Sequence, residues 1–337
     1  MSGPASVAAL GTARLGRHGP TVTRLGLGCA PLGNLFTAVG DDEATAAVDA
    51  AWDAGIRYFD TAPLYGHGLS ERRLGRALAR RPRDEWVLST KVGRLLRPVD
   101  EPVDTIFDLA RSAGGGGGAA AADPAGLAPT FDFSADGVLR SIEESLVRLG
   151  TDRLDVVLVH DPDDHQDEAL AGAFPALVRL RDEGVVGAVG AGMNQWPALD
   201  RFVQQVDLDV VLLAGRATLL DRSGTEVLLP RCAERGVGVV LGGVFNSGVL
   251  AAPPGTTATY DYGEVPAEVA GRVARLASVC EAAGVALPAA ALRWALRRDD
   301  VAAVVVGARS PAEVAADVAW ATAAVPDHLW DELEAVR

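Results

Sequence analysis

Short apolar segments alternate with longer amphipathic segments along almost the whole chain. The apolar segments are nearly continuous in Val, Leu and Ala, which is typical of parallel strands buried on both faces. Between most of them lie stretches with helical periodicity, such as DEATAAVDAAWDAG and ADGVLRSIEESLVRLG. The pattern predicts eight strands, at 26–30, 57–61, 86–92, 155–161, 186–192, 209–215, 236–243 and 301–308.

This alternation predicts an α/β fold, a (β/α)8 TIM barrel that forms a single domain over 1–337. Strand–helix units with right-handed crossovers close naturally into such a barrel. A doubly wound open sheet is the alternative, but Gly26, Gly28 and Gly33 lack the spacing of a dinucleotide-binding turn. Before the first strand, TARLGRHGPTVTRLG predicts a β-hairpin that closes the bottom of the barrel.

A long connection at 93–134 follows the third strand and contains GGGGGAAAADPAG. Connections of this length inside a compact domain are usually either functional or disordered. Its position on the carboxyl side of the strands allows a mobile lid, whereas the Gly/Ala run by itself indicates a flexible loop. Both interpretations stay open at this point.

Composition and charge narrow the class of partner. Apolar residues make up 49% of the chain, enough for a sizeable core, and the net charge is −14. An acidic surface argues against nucleic acid and anionic membranes, so we expect a small-molecule substrate. The three cysteines are widely spaced, and we find no signal peptide and no uninterrupted apolar span, so we expect a cytoplasmic protein. The sequence leaves open whether it is a monomer or a homo-oligomer.

Polar residues end several of the predicted strands. Asp60, Lys91, His160 and Asn194 follow strands two to five, and Tyr65 lies in the loop after strand two. The carboxyl ends of barrel strands meet at one rim, where active sites of this fold lie. A lysine charge lowers the pKa of a nearby tyrosine and an aspartate holds that lysine, so Tyr65 becomes a plausible acid–base group. Such a site suits proton transfer to a carbonyl or from an alcohol.

Two other chemistries remain as alternatives. Lys91 at a barrel strand end is also compatible with a Schiff-base aldolase. The HDPDDH run at 160–165 has some features of a metal motif, but it is better explained as a strand end followed by an acidic loop. We therefore predict no metal.

Three segments, in order and at suitable spacing, resemble the motifs of the aldo-keto reductase superfamily: FDTAPLYGHGLSERRLG (59–75), STKVG (89–93) and VHDPD (159–163). The resemblance extends from about Arg14 to Leu329. Further segments, among them APLGNLF, NQW and GGVFNSGVLA, resemble the aldose, L-fucose and D-threo-aldose 1-dehydrogenase branch. The resemblance implies a catalytic tetrad of Asp60, Tyr65, Lys91 and His160, with Tyr65 as general acid/base.

The resemblance also implies a nicotinamide dinucleotide, NAD(P), extended across the barrel mouth. The positions that match the family's cofactor contacts are Asn194, Phe245, Asn246, Ser247, Gly248, Leu250, Gly307, Arg309, Ser310, Glu313 and Asp317. Glu313 stands where NADP-specific relatives often have an arginine, and an acid there repels a 2′-phosphate although Arg309 would attract it. NAD is therefore the favoured cofactor.

Departures from the family pattern concern the rim where the substrate binds. Ala217 stands where relatives usually have an aromatic that stacks on the nicotinamide, and Ala214 lies near the usual glutamine. Phe36, His67 and Trp196 are candidate substrate contacts, although packing or surface roles fit these residues equally well.

The implied reaction is oxidation of the anomeric C1 hydroxyl of an aldose to a lactone. One alternative is a carbonyl reductase or dehydrogenase of a specialised metabolite, which Ala217 and the 93–134 loop favour. Another is a cofactor-binding regulatory subunit with slow turnover. The sequence specifies neither the sugar nor the direction of the reaction in the cell.

Overall fold

The computed structural model describes residues 10–98, 126–252 and 258–336. Its strands are β1 (Thr12–Arg14), β2 (Thr21–Thr23), β3 (Leu25–Gly28), β4 (Tyr58–Asp60), β5 (Val87–Val92), β6 (Arg94–Pro98), β7 (Leu127–Phe131), β8 (Leu154–His160), β9 (Val186–Met193), β10 (Val210–Ala214), β11 (Gly238–Gly242) and β12 (Ala303–Gly307). Each of the eight strands predicted from the sequence is present within a few residues of its predicted bounds.

The helices are α1 (Asp41–Asp53), α2 (Leu69–Leu78), α3 (Ala135–Leu149), α4 (Phe174–Asp182), α5 (Trp196–Gln205), α6 (Leu228–Arg235), α7 (Ala267–Ala282), α8 (Leu287–Leu296), α9 (Pro311–Ala321) and α10 (His328–Ala335). A π-helical segment, Ala169–Ala173, leads into α4. Ser134 and Ser310 accept hydrogen bonds from the backbone as the N-caps of α3 and α9.

Eight parallel strands of the described chain form a closed barrel in the order β3, β4, β5, β8, β9, β10, β11 and β12. Closure is made where β12 pairs with β3, with Val305 opposite Gly26. The predicted (β/α)8 barrel is therefore confirmed, and the open-sheet alternative is wrong. Because all eight strands run the same way, their carboxyl ends share one rim.

Alternate residues along the strands fill the barrel interior. One buried cluster contains Val156, Leu158, Val210 and Leu212, and the intervening residues belong to a larger cluster between the sheet and the helices. This double burial explains why the strands lack a polar face in the sequence.

The N-terminal hairpin is also confirmed. β1 pairs antiparallel with β2, and Leu15 in the connecting turn is fully buried with the interior cluster. The backbone at Gly16 lies so close to Asp209 that a Cβ there would meet the Asp209 carbonyl oxygen. Asp209 immediately precedes β10, so the hairpin closes the amino-terminal end of the barrel, opposite the carboxyl rim.

The two ends of the long connection after β5 form a ribbon that we did not predict. β6 pairs antiparallel with β7, and the register places Arg94 opposite Phe131. The Gly/Ala run, and with it the choice between lid and flexible loop, lies outside the described residues. The ribbon places Arg94 next to the carboxyl rim of the barrel, where it contacts Asp161.

No single helix of the described chain is long and apolar enough to cross a membrane, although α7 and α8 together meet that criterion as a pair bent by 95°. All three cysteines are free and buried.

Candidate active site

Asp60, Tyr65 and Lys91 meet at the carboxyl rim of the barrel. Asp60 ends β4, Lys91 lies in β5, and Tyr65 follows β4 in a loop. Lys91 Nζ donates to Asp60 Oδ2 at 2.7 Å, to the Thr61 carbonyl at 2.9 Å and to the Tyr65 hydroxyl at 3.0 Å. The three protons of the ammonium group thus each have an acceptor, which fixes the position of the Tyr65 hydroxyl relative to the charge.

The second carboxylate oxygen of Asp60 is held by a buried hydroxyl. Ser89 Oγ donates to Asp60 Oδ1 at 2.6 Å and lies 3.1 Å from the Tyr58 hydroxyl, which can donate to it in turn. Because Ser89 and Lys91 lie on the same face of β5, one strand supplies both contacts to the carboxylate. This support for Asp60 was not recognised in the sequence.

The loop that carries Tyr65 packs backbone to backbone against the loop after β3. A Cβ at Gly33 would come within 2.5 Å of the Tyr65 carbonyl carbon, and one at Gly66 would come within 2.5 Å of the Gly33 oxygen. Gly66 also has a positive φ of 61°. Only glycine at both positions allows this close approach, which sets the height of Tyr65 above the barrel.

Burial changes the proton affinities of these groups. The surrounding protein desolvates Tyr65 and raises its pKa above the usual value, and the Lys91 charge opposes this rise without cancelling it. Lys91 thus lowers the pKa of Tyr65 as expected, but burial, which the sequence did not reveal, raises this pKa by more. Burial also lowers the pKa of Lys91, but the charge of Asp60 and the hydrogen bonds outweigh burial, so that the net pKa is raised and the ammonium stays charged.

His160 ends β8, and its ring meets the Tyr65 ring edge to face, with centroids 5.8 Å apart. Burial, followed by the charges of Arg94 and Lys91, lowers the pKa of His160 well below its usual value. The imidazole is therefore neutral near pH 7. A neutral ring beside the tyrosine hydroxyl can hydrogen-bond a substrate oxygen without adding a competing charge.

Two buried ionic groups on α2 hold the surroundings of the site and were missed in the sequence. Glu71 accepts from Thr90 Oγ1 at 2.7 Å and from Arg148 Nε at 2.5 Å, which ties α2 to β5 and α3. Arg73 donates to the carbonyls of Leu32 and Val39 at 2.6 and 2.7 Å, which fixes the loop after β3. Both residues lie in the segment SERRLG, and from the sequence alone they look like ordinary charged residues on the exposed face of a helix.

A cavity of about 200 Å³ opens beside the tetrad, over the ends of β3 and β9–β12. Asp60, Tyr65 and Asn194 line it, and one part of the remaining wall is formed by glycine backbone. The lining glycines are Gly28, Gly215, Gly242, Gly243 and Gly307. Along this glycine-lined wall an extended ligand can approach the backbone closely.

The loop after β11 holds several of the predicted cofactor positions. Asn246 and Ser247 line the cavity with positive φ angles of 46° and 59°. The Asn246 side chain is held by its neighbours, because it donates to the Gly215 carbonyl and accepts from Thr218. It therefore shapes the loop. Gly248 has a φ of 100° and open space where a Cβ would lie.

The side chains of Phe245 and Leu250, in contrast, pack into the protein. Phe245 meets the Trp320 ring edge to face at 5.7 Å, and Leu250 is 1% exposed. Any contact from Leu250 to a bound dinucleotide would therefore come from its backbone.

The predicted adenosine-phosphate segment forms the start of α9. Arg309 pairs with Glu313 through its backbone N–H at 2.7 Å and through its guanidinium, and it also donates to Thr37. Burial and the nearby Glu313 raise the pKa of Asp317 to about 8. Asp317 is 7% exposed and accepts no hydrogen bond from any residue in the described ranges.

The three candidate substrate residues have different surroundings. Phe36 lines the cavity and stacks on Tyr262, with ring centroids 5.7 Å apart. His67 is 6% exposed within the Tyr65 loop, so the surface role we considered is wrong, and it does not line the cavity. Trp196 begins α5 and packs against the large core cluster. Tyr262, which also lines the cavity, was not identified from the sequence.

Ala217 is 1% exposed and belongs to the core, so it leaves the cavity wall to other residues. Across the parts of the chain that the structure describes, no three His, Cys, Asp or Glu side chains are grouped so that they could hold a metal ion.

Known proteins resemble the chain over nearly its whole length. The model of the aldo/keto reductase family matches residues 24–337. The chain is 46% identical over 321 residues to D-threo-aldose 1-dehydrogenase from Pseudomonas sp. and 40% identical over 340 residues to pyridoxal 4-dehydrogenase from Microbacterium luteolum. Both matches cover 95% of either chain. A solved aldo-keto reductase from Bacillus halodurans, in its holo form, has a TM-score of 0.73 at 25% identity and covers 97% of this chain and 96% of its own.

The resemblance seen in the motifs is thus confirmed, including the resemblance to the aldose dehydrogenase branch. The family match and the barrel with its carboxyl-rim cavity lead to one conclusion: the chain belongs to the aldo/keto reductase family and is an NAD(P)-dependent oxidoreductase.

Proposed function

We propose that the protein oxidises the anomeric C1 hydroxyl of an aldose to a lactone. The observation that carries the proposal is the 3.0 Å contact between Lys91 Nζ and the Tyr65 hydroxyl, with Asp60 holding the same ammonium. The 46% identity to D-threo-aldose 1-dehydrogenase supports an aldose as the substrate class.

Each catalytic residue has a distinct role in this proposal. C1 loses a hydride and O1 a proton, which leaves the lactone carbonyl, and Tyr65 accepts that proton. Lys91 stabilises the tyrosine oxygen while it is negatively charged, and Asp60 keeps Lys91 in place. Neutral His160 orients O1 by a hydrogen bond. In the reverse direction Tyr65 is the acid, and its raised pKa favours that protonated form at neutral pH.

The residues present fit a nicotinamide dinucleotide. The glycine-lined wall accommodates an extended ligand, Asn194 lies where it can bind a carboxamide, and the Ser310-capped start of α9 favours an anion. Asp317, a buried carboxyl without a described donor, is available to a polar group of the adenosine. When bound, the nicotinamide supplies the hydride acceptor or donor.

We further propose a preference for NAD over NADP. Arg309 is the cation that would attract a 2′-phosphate, but its guanidinium already donates hydrogen bonds to the Glu313 carboxylate, which neutralises the charge. The backbone N–H of Arg309 donates to the same carboxylate. A 2′-phosphate would have to displace a carboxylate. We expect kcat/KM for NAD+ to exceed that for NADP+, and Glu313→Gln to narrow the ratio by about tenfold, since hydrogen bonds to charged groups contribute about 1.5–3 kcal/mol. An unchanged ratio would contradict the role of Glu313.

The Phe36–Tyr262 stack favours a second candidate, a carbonyl reductase or dehydrogenase acting on a flat ring. These stacked rings lie at the cavity, where they can pack against an aromatic substrate. Pyridoxal 4-dehydrogenase, at 40% identity, is named for such a ring substrate.

Initial rates distinguish these functions. L-fucose, D-arabinose, L-galactose and L-xylose are tested with NAD+ and NADP+, alongside pyridoxal, and aromatic aldehydes are tested with the reduced cofactors. Aldose-dependent NADH formation that disappears in Tyr65→Phe supports the proposal. Turnover of ring substrates without aldoses favours the second candidate. Tight cofactor binding with no turnover of any compound favours a regulatory subunit.

A further inference from the structure

A carboxyl group next to His160 has no role in the mechanism so far. Asp161 directly follows His160 at the end of β8, and its Oδ2 lies 3.0 Å from Arg94 Nη2 and 3.5 Å from His160 Nε2. The charge of Asp161 contributes to raising the pKa of both Tyr65 and Tyr262, so the carboxylate lies near both tyrosines. None of the glycine-lined wall is formed by Asp161.

The backbone at Asp161 is held in an unfavourable conformation. Its φ is +42°, in the left-handed region that residues with a Cβ rarely adopt, and its N–H donates to the Gly192 carbonyl at 3.1 Å. Such conformations persist where the surrounding structure enforces them, and they are concentrated at functional sites. Here the turn directs the side chain beside His160 and Arg94, close to the reacting groups.

Only one of the two carboxylate oxygens has a partner. Arg94 comes from the unpredicted β6–β7 ribbon and holds Oδ2, while Oδ1 accepts no hydrogen bond from any residue within 10–98, 126–252 or 258–336. The side chain is 28% exposed, so Oδ1 can be reached by a ligand. A partly buried carboxylate oxygen only accepts hydrogen bonds, and it therefore favours a ligand that donates one.

We propose that Asp161, anchored by Arg94, is a specificity-determining residue that binds the substrate hydroxyl next to the reacting carbon. The proposal rests on the proposed function and narrows it to substrates that carry a hydroxyl at that carbon. His160 contacts the reacting oxygen in the proposed mechanism, and Asp161 is its neighbour in the chain, so the adjacent hydroxyl is the group within reach. Arg94 already balances the charge, so a neutral donor fits better than a cation.

The test combines two substrates with two variants. The aldose that the wild type oxidises fastest is compared with its 2-deoxy analogue, as D-arabinose is compared with 2-deoxy-D-ribose. Asp161→Gly removes the carboxylate without backbone strain, because glycine adopts a positive φ freely. Asp161→Asn keeps one acceptor oxygen. Asp164→Asn, which removes a nearby exposed acid, is the matched control.

For the wild type we expect kcat/KM to fall about 10- to 100-fold on the 2-deoxy analogue, the range for a hydrogen bond to a charged group. In Asp161→Gly, kcat/KM for the aldose should fall by the same factor, mainly because KM rises. For the 2-deoxy analogue, kcat/KM should change little. The losses in Asp161→Asn should lie between those of the wild type and Asp161→Gly, and Asp164→Asn should match the wild type. Reduction of benzaldehyde, which has no such hydroxyl, should stay unchanged in Asp161→Gly.

Equal losses on the aldose, its 2-deoxy analogue and benzaldehyde would overturn the proposal, because they would show that Asp161 only supports His160. Full retention of the preference for the aldose in Asp161→Gly would overturn it as well. If the wild type oxidises no aldose but reduces benzaldehyde, the proposed function has failed. That failure removes the basis of this inference and is recognised from the wild type alone.

Discussion

Lys91 is a buried ammonium whose charge is balanced by one carboxylate, Asp60. The Lys91 side chain is 1% exposed, and all three of its protons have acceptors. Removing one member of a buried ion pair leaves the other charge without a partner, which destabilises a protein by about 3–5 kcal/mol. Single and double substitutions can therefore separate the stabilising role of the pair from its catalytic role.

We expect Lys91→Met to lower kcat by about 100-fold or more, the lower end of what a positioned acid–base group contributes. The same substitution should lower the free energy of unfolding, because Asp60 is left charged and buried. Adding Asp60→Asn should restore most of that free energy without restoring kcat. Urea unfolding and initial rates of the two single variants and the double variant measure both effects. A double variant with wild-type kcat would contradict a direct role for Lys91.

Tyr65 and His160 determine the expected pH dependence. Tyr65 must lose its proton to act as the base in oxidation, and burial raises its pKa, so the rate of oxidation should increase with pH through the alkaline range. Burial lowers the pKa of His160 well below the usual value of about 6.5, so the imidazole stays neutral at neutral and alkaline pH. Profiles of kcat/KM against pH, recorded for both oxidation and reduction, measure the pH dependence. An inflection near pH 6.5 that His160→Gln abolishes would show instead that the histidine titrates.

At the scale of elements, α2 links three parts of the catalytic rim. The Tyr65 loop leads into its first turn, Glu71 joins it to β5 and α3, and Arg73 joins it to the loop that carries Phe36. Arg73 is 6% exposed, although its neighbour on the helix, Arg76, has a side chain that is 62% exposed. Both arginines pair with Asp41, so the two differ chiefly in burial and in the backbone carbonyls that Arg73 holds.

Arg73→Met should therefore lower the free energy of unfolding by about 2–3 kcal/mol, because the buried carbonyls of Leu32 and Val39 lose a charged donor. It should also raise KM, since the loop carrying Phe36 is released. Arg76→Met loses one exposed ion pair and should change stability by less than about 1 kcal/mol. Thermal and urea unfolding of the two variants measure stability, and substrate saturation curves measure KM. Equal effects of the two variants would show that the carbonyl contacts contribute nothing.

At the scale of the whole molecule, hydrophobic periodicity was sufficient to predict the barrel. Strands buried on both faces have continuous apolar segments, and the helices between them keep a 3.6-residue period. The order and number of these elements could therefore be predicted from the sequence. The β6–β7 ribbon could not be predicted in this way. Its strands, Arg94–Pro98 and Leu127–Phe131, are far apart in the sequence, and neither shows a clear alternation of apolar and polar residues. Pairing of that kind depends on contacts that no local pattern contains.

The candidate site was predictable where chemistry requires a residue type at a strand end. Asp60, Lys91 and His160 are polar residues that interrupt apolar strands, which makes them visible. Asp161 and Arg73 were not recognised, because an acid after a strand and an arginine on a helix are ordinary surface features. The burial of Arg73 and the contacts of Asp161 with Arg94 and His160 come from the tertiary structure alone.

Substitutions in the amino-terminal hairpin can show whether packing at that end of the barrel affects catalysis at the other end. Leu15 is fully buried in the interior cluster, at the end of the barrel opposite Tyr65. Leu15→Ala should lower the free energy of unfolding by about 2–5 kcal/mol through lost burial and a cavity. Val147→Ala, at a position 81% exposed, should stay within about 0.5 kcal/mol. Below the lowered melting temperature, kcat and KM of Leu15→Ala should equal those of the wild type, because the hairpin packs at the amino-terminal end of the barrel, opposite Tyr65. A raised KM at full folding would mean that packing at the closed end influences the catalytic rim.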